Sequence, residues 1–104
     1  MEHSIRYRVI VSDNAARMLV SHARFLANVS EDAAIAFTEE FNKQANSLSE
    51  LPERCPWLDS PYIPKRKYRK LTFSGKYLIL YQIKGEHVLI DYVVDCRQDY
   101  QWLL

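Results

Sequence analysis

Five consecutive large apolar residues, Tyr77-Leu78-Ile79-Leu80-Tyr81, limit how this chain can fold more than any other feature. Successive side chains of a strand point to opposite faces, so the run is apolar on both. It reads as a central strand of a sheet. Its limits are marked by the only two glycines, Gly75 and Gly85. Ser74-Gly75 and Gly85-Glu86 are two-residue turn signals, because glycine takes positive φ without steric cost. They define three strands, over 67–73, 76–84 and 87–94, joined as a meander.

Upstream the period changes. Ile5-Arg6-Tyr7-Arg8-Val9-Ile10-Val11 alternates and is β-branched, so it reads as a first strand. Ser12-Asp13-Asn14 then supplies N-cap oxygens. Ala16, Leu19, Val20, Ala23 and Ala27 follow at helical spacing, with Met18, Phe25 and Leu26 widening the stripe, to an end near Asn28. Ser30 caps a second helix, with Glu31 and Asp32 favourably placed in its first turn. Its stripe is Ala34, Phe37, Phe41, Ala45, Leu48 and Leu51, opposite Glu39, Glu40, Lys43 and Glu50, and Pro52 stops it. Residues 52–64 hold all four prolines and read as an extended surface loop. The tail, 96–104, has room for one or two helical turns. The order β-α-α-β-β-β predicts an α+β fold, a helical hairpin packed on a small antiparallel sheet. At 104 residues the chain predicts one domain, 1–104.

The net charge of +1 conceals an asymmetry. Residues 1–60 carry 6 Lys/Arg against 9 Asp/Glu, whereas residues 61–104 carry 8 against 4. The positive charge concentrates in Lys65, Arg66, Lys67, Arg69, Lys70 and Lys76, and no acid falls between Pro61 and Lys84. Such a patch suits a phosphate-rich or acidic partner. It equally suits a solvated loop and a lysine-protected edge strand. Tyr62, Tyr68, Phe73, Tyr77 and Tyr81 lie among these cations, a composition that can clamp a phosphodiester and stack on bases, or bind an acidic peptide.

Other chemistries find little support. Two glycines cannot make a phosphate-binding loop. His3, His22 and His87 are scattered and pair with no cysteine at ligand spacing, so no metal site and no cofactor are expected. Two cysteines, Cys55 and Cys96, do not make a disulfide framework, and Cys55 beside Pro56-Trp57 reads as an apolar filler. Asp91 and Asp95 are expected to share one wet strand face. No apolar run approaches the roughly 20 residues of a membrane span. Met1-Glu2-His3-Ser4 leads straight into a strand, and a reducing cytoplasm is the expected location.

The arrangement resembles the toxins of the RelE/ParE superfamily of bacterial type II toxin–antitoxin, or plasmid stabilisation, systems. The resemblance covers nearly the whole chain. It rests on Tyr7-Arg8-Val9-Ile10-Val11-Ser12, Leu48-Ser49-Glu50-Leu51-Pro52, Tyr68-Arg69-Lys70-Leu71, Tyr77-Leu78-Ile79-Leu80-Tyr81 and Val93-Val94-Asp95-Cys96-Arg97-Gln98-Asp99-Tyr100. It implies a growth-inhibiting protein neutralised by a cognate antitoxin. Two targets follow from the resemblance: mRNA on the ribosome, cut without a metal by attack of a 2′-hydroxyl (RelE-like), or DNA gyrase (ParE-like). The nuclease needs a base, an acid and cations for the pentacovalent charge. Laid over this chain without gaps, one family lysine falls on Arg69, a second on Leu71 and the strand arginine on Leu78. Arg69, Arg97 and Tyr100 are the catalytic candidates that the resemblance implies. Lys65, Arg66, Lys67, Lys70 and Lys76 form the candidate binding patch, with Lys67, Lys70 and Lys76 available as substitute cations. The alternatives are a degenerate, non-toxic member and a small nucleic-acid-binding domain, each acting only through partner binding.

Overall fold

The computed structural model describes residues 6–97. It contains β1 (Arg8–Val11), α1 (Asp13–Ala27), α2 (Glu31–Ser47), a 3-10 turn (Pro52–Arg54), β2 (Arg69–Phe73), β3 (Tyr77–Lys84) and β4 (His87–Asp95). The expected α+β order is present, and the sheet is mixed. Its strand order is β1-β4-β3-β2. The β2-β3-β4 meander is antiparallel, whereas β1 joins β4 in parallel, Val9 opposite Val88. The helical hairpin carries the chain from the β1 edge to the β2 edge, and the meander then walks back. No helix among the described residues is long and apolar enough to cross a membrane.

Ser12 fixes the first helix twice. Its hydroxyl accepts from the Ala15 amide at 3.0 Å, and its own amide donates to the Ile90 carbonyl at 2.9 Å. The buried seam of α1 is one residue out of phase with the expected stripe. Ala15 is buried and Met18, Leu19, Ala23 and Leu26 pack on the core, whereas Ala16, Val20 and Phe25 face outward. His22 explains the shift: although polar, it faces the sheet, where its Nε2 lies 3.0 Å from the Val93 carbonyl and its ring meets Tyr77 edge-on at 5.1 Å.

The second helix follows its expected stripe through Leu48. Ser30 caps it, accepting from the Ala33 amide at 3.2 Å. Phe37, Phe41, Ala45 and Leu48 are buried. Leu51 leaves the stripe: it is 73% exposed with φ at +49°. A residue before proline is pushed out of the right-handed helical region. Here that reversal turns Pro52 inward, where its carbonyl accepts from the buried Tyr81 hydroxyl at 2.6 Å.

Each face of the sheet is covered by different material. On the helix side Phe37 stacks among Phe73 and Tyr77, with centroids 5.3 and 4.7 Å away, above Ile79, Val88, Ile90 and Val93. On the other side the proline-rich segment lays Leu58 and Ile63 with Tyr68 over Leu78, Leu80 and Val94. That segment is therefore half core rather than wholly surface. Its apolar residues complete the cover that an all-apolar β3 requires.

A register shift at Leu80/Tyr81 makes Asp91 an extra residue in β4. It separates two carboxylates expected on one face. Asp95 stays opposite Tyr77, on the helix side, while Asp91 accepts from Gln82 Nε2 at 2.9 Å beside Tyr68. Burial and the neighbouring Asp91 carboxylate push the Tyr68 phenol well above its ordinary value.

Candidate functional site

The basic segment is built on a strand that starts late. β3 runs to Lys84, but β2 pairs with it only as far as Arg69 opposite Tyr81. Beyond that point the β3 edge at 82–84 has no β2 partner, which leaves a notch. The chain before β2 turns there, with Arg66 at φ +60°. Residues 56–58 then pair with the start of β2: Leu58 donates to the Tyr68 carbonyl at 2.7 Å and Lys70 to that of Pro56 at 3.0 Å. This pairing covers part of the strand edge.

Arg69 is the keystone of this corner. Its guanidinium carbon lies 3.9 Å from the centroid of the Trp57 ring. Its Nη1 donates to the Cys55 carbonyl at 2.7 Å and to the Glu53 carbonyl at 3.0 Å, and its Nε is buried without a partner. A planar guanidinium can hold two carbonyls and stack at once. Arg54 performs a related task nearby, donating to the carbonyl of Glu50 at 2.9 Å and to Ser47 Oγ at 2.7 Å, which closes the end of α2.

The notch is a cavity of about 270 Å³ lined by Glu53, Trp57, Arg66, Lys67, Arg69, Gln82, Ile83 and Lys84. Four of these residues are cationic. Among the described residues the salt bridges are Arg6–Glu50, Lys76–Asp95 and Arg97–Asp95, so none of the four is ion-paired. Glu53, the one acid present, accepts from the Tyr7 hydroxyl at 3.0 Å, and this hydrogen bond raises the Tyr7 phenol above its ordinary value.

The fold divides the other expected cations. Lys65, Arg66 and Lys67 are exposed around the turn beside Arg69. Lys70 sits opposite Leu80, on the face away from the helices. Lys76 lies at the far end of the meander, 3.8 Å from Asp95. Arg97 lies there too. Its Nη2 and Nε reach Asp95 at 2.9 and 3.1 Å, and its amide donates to the same carboxylate at 2.9 Å. These bonds hold the Asp95 carboxyl far below its ordinary value and raise the Arg97 guanidinium.

Arg69 and Arg97 are not brought together. Arg69 begins β2, and Arg97 follows the end of β4 that pairs with Tyr77, itself opposite Phe73 at the other end of β2. Four residues of strand separate those ends, about 13 Å. Tyr100 lies outside the described residues. Leu71 packs into the helix-side core and Leu78 is buried on the opposite face. Trp57, Gln82 and Lys84 complete the pocket without a sequence signal to announce them. Trp57 is 12 residues from its Arg69 partner and Lys84 reads as an ordinary strand end.

A family model described as the ParE toxin of the type II toxin–antitoxin system parDE matches residues 9–100. No curated protein matches the chain. A solved structure titled as the chromosomal ParDE toxin–antitoxin system from P. aeruginosa is similar, with a TM-score of 0.71 at 16% identity. The match covers 88% of this chain and 98% of that one.

Proposed function

Because the chain belongs to the ParE toxin family of type II toxin–antitoxin systems, we propose that it arrests growth by acting on DNA gyrase and is neutralised by a cognate antitoxin. The observation that carries the choice of target is the employment of the nuclease-like positions. Arg69 is spent on two loop carbonyls and Trp57, while Leu71 and Leu78 serve the two cores. Loss of one charge-stabilising donor typically costs about 10²–10³ in rate. A chain that places leucine at two such positions is poorly equipped to cut RNA, so the reading that needs no cut is preferred.

The antitoxin reading rests on two surfaces. Lys65, Arg66 and Lys67 form an exposed basic turn. The helical hairpin leaves Val20, Phe25, Val29 and Ile35 exposed, with a shallow groove between α1 and α2 lined by Ala23, Glu31, Ala34, Ile35, Thr38 and Glu39. An amphipathic segment would suit both, with its apolar face in the groove between Glu31 and Glu39 and its carboxylates confined to the end that meets the turn. Controlled expression tests the proposal. Induction alone should arrest growth, and co-expression of a cognate antitoxin should restore it. Unimpaired growth on induction would favour the non-toxic, partner-binding alternative.

A further inference from the structure

The cationic notch shares Arg66 and Lys67 with the exposed basic turn, but it is concave, walled by an aromatic ring and set on the sheet. Arg66, Lys67, Arg69 and Lys84 come from the turn, the start of β2 and the end of β3, yet they line one cavity of about 270 Å³. Like charges gathered around one cavity repel. Glu53, which stays a carboxylate while it accepts from the Tyr7 hydroxyl, offsets one of the four. The lining therefore carries a formal excess of three positive charges, four cations against one carboxylate, with no salt bridge to them among the described residues.

We infer that this notch binds a nucleotide, through its phosphate on Arg66, Lys67 and Lys84 and through its base against Trp57. Three features favour this class over an acidic peptide. The charge excess suits a phosphate, which offers several acceptor oxygens on one centre, better than a single carboxylate. Trp57 is 39% exposed with Arg69 stacked on it, which fixes the ring as a platform for a flat π-surface. Gln82 also lines the cavity; its Nε2 already donates to Asp91 at 2.9 Å, which leaves its amide oxygen and one N–H to meet a base edge. The volume admits one nucleotide unit, which can be a free mononucleotide or one residue of a single strand. No proton transfer or bond cleavage is included: the site binds.

The test uses the full chain with Trp102→Phe, a residue outside the described ones, so that fluorescence reports Trp57. The probes are adenosine 5′-monophosphate, a 5′-phosphorylated trideoxynucleotide, inorganic phosphate and a hexaglutamate peptide. Both nucleotide probes should quench Trp57 saturably, at least tenfold more tightly than phosphate or peptide, and added salt should weaken them. A tenfold advantage of the trinucleotide identifies a single strand as the source, and equal binding identifies a free nucleotide. Arg66→Glu with Lys84→Glu, both exposed, should raise the nucleotide Kd at least tenfold, while Lys43→Glu on the exposed face of α2 should leave it within twofold. Absence of saturable quenching, equal binding of hexaglutamate, or an unaffected double variant would overturn the inference. None of these readings depends on growth arrest or on the gyrase assignment.

Discussion

Replacing Arg69 by lysine separates a structural clamp from a catalytic cation, because the charge is kept and the fork is lost. An ammonium can serve the Cys55 carbonyl at the position now 2.7 Å from Nη1, but it lacks the planar guanidinium surface that lies 3.9 Å from Trp57. One hydrogen bond to a charged group contributes about 1.5–3 kcal/mol. The stacked cation adds about 0.5–1 kcal/mol at a partly exposed site. Removal of the partnerless buried Nε returns about 1 kcal/mol. The net expectation is a loss of roughly 1–3 kcal/mol. For a domain of this size that lowers Tm by roughly 4–20 °C. Urea unfolding and a thermal scan measure it, with growth arrest assayed well below the new Tm. Reduced stability with toxicity kept is the predicted pattern. Stability unchanged within about 0.5 kcal/mol, with toxicity abolished, would refute the clamp and return Arg69 to a chemical role.

Four further outcomes are expected. Changing Lys65, Arg66 and Lys67 together to Glu should weaken the antitoxin complex and flatten its salt dependence, measured by titration at two ionic strengths. Arg97→Ala should leave toxicity intact in the induction assay, since Arg97 is engaged with Asp95 rather than with Arg69. The folded pKa of Asp95 is depressed, chiefly by the Arg97 hydrogen bonds, so its stabilisation is present above the unfolded value near 4 and is lost as pH falls below it. Asp95→Asn should therefore reduce the acid-side slope of stability against pH in denaturant titrations. Leu71→Lys with Leu78→Arg should not create an mRNA nuclease in a translating extract. The Leu78 site is only 6% exposed, and burying an unpaired guanidinium there should collapse the fold, visible by circular dichroism.

Elements governed by local chemistry were legible in the sequence. The Ser12 and Ser30 caps, the Gly85-Glu86 turn and the doubly apolar β3 depend on neighbours within a few residues and form as read, whereas the expected two-residue turn at Ser74-Gly75 is a three-residue one, 74–76, because Phe73 pairs with Tyr77. Features set by distant partners were not. The phase of α1 turns on His22 finding the Val93 carbonyl, 71 residues away. The separation of Asp91 from Asp95 depends on a bulge with no sequence signature. Leu58 and Ile63 look like loop residues until Leu78 and Leu80 need cover. The candidate site shows the same division. The basic run was visible as composition, but its split between the notch, the open face and the Asp95 end follows from register. Arg69 was identifiable as important, whereas its engagement by Trp57 and two carbonyls was not.

Action on gyrase without cutting RNA can be separated from a nuclease by one paired assay. Purified protein, with and without antitoxin, is added to a gyrase supercoiling reaction and to a translating extract in which mRNA ends are mapped. Inhibited supercoiling, reversed by antitoxin, with no new mRNA ends is the expected result. Codon-positioned mRNA cleavage with gyrase unaffected would contradict it and direct attention to Lys67, Lys70, Lys76 and Tyr100.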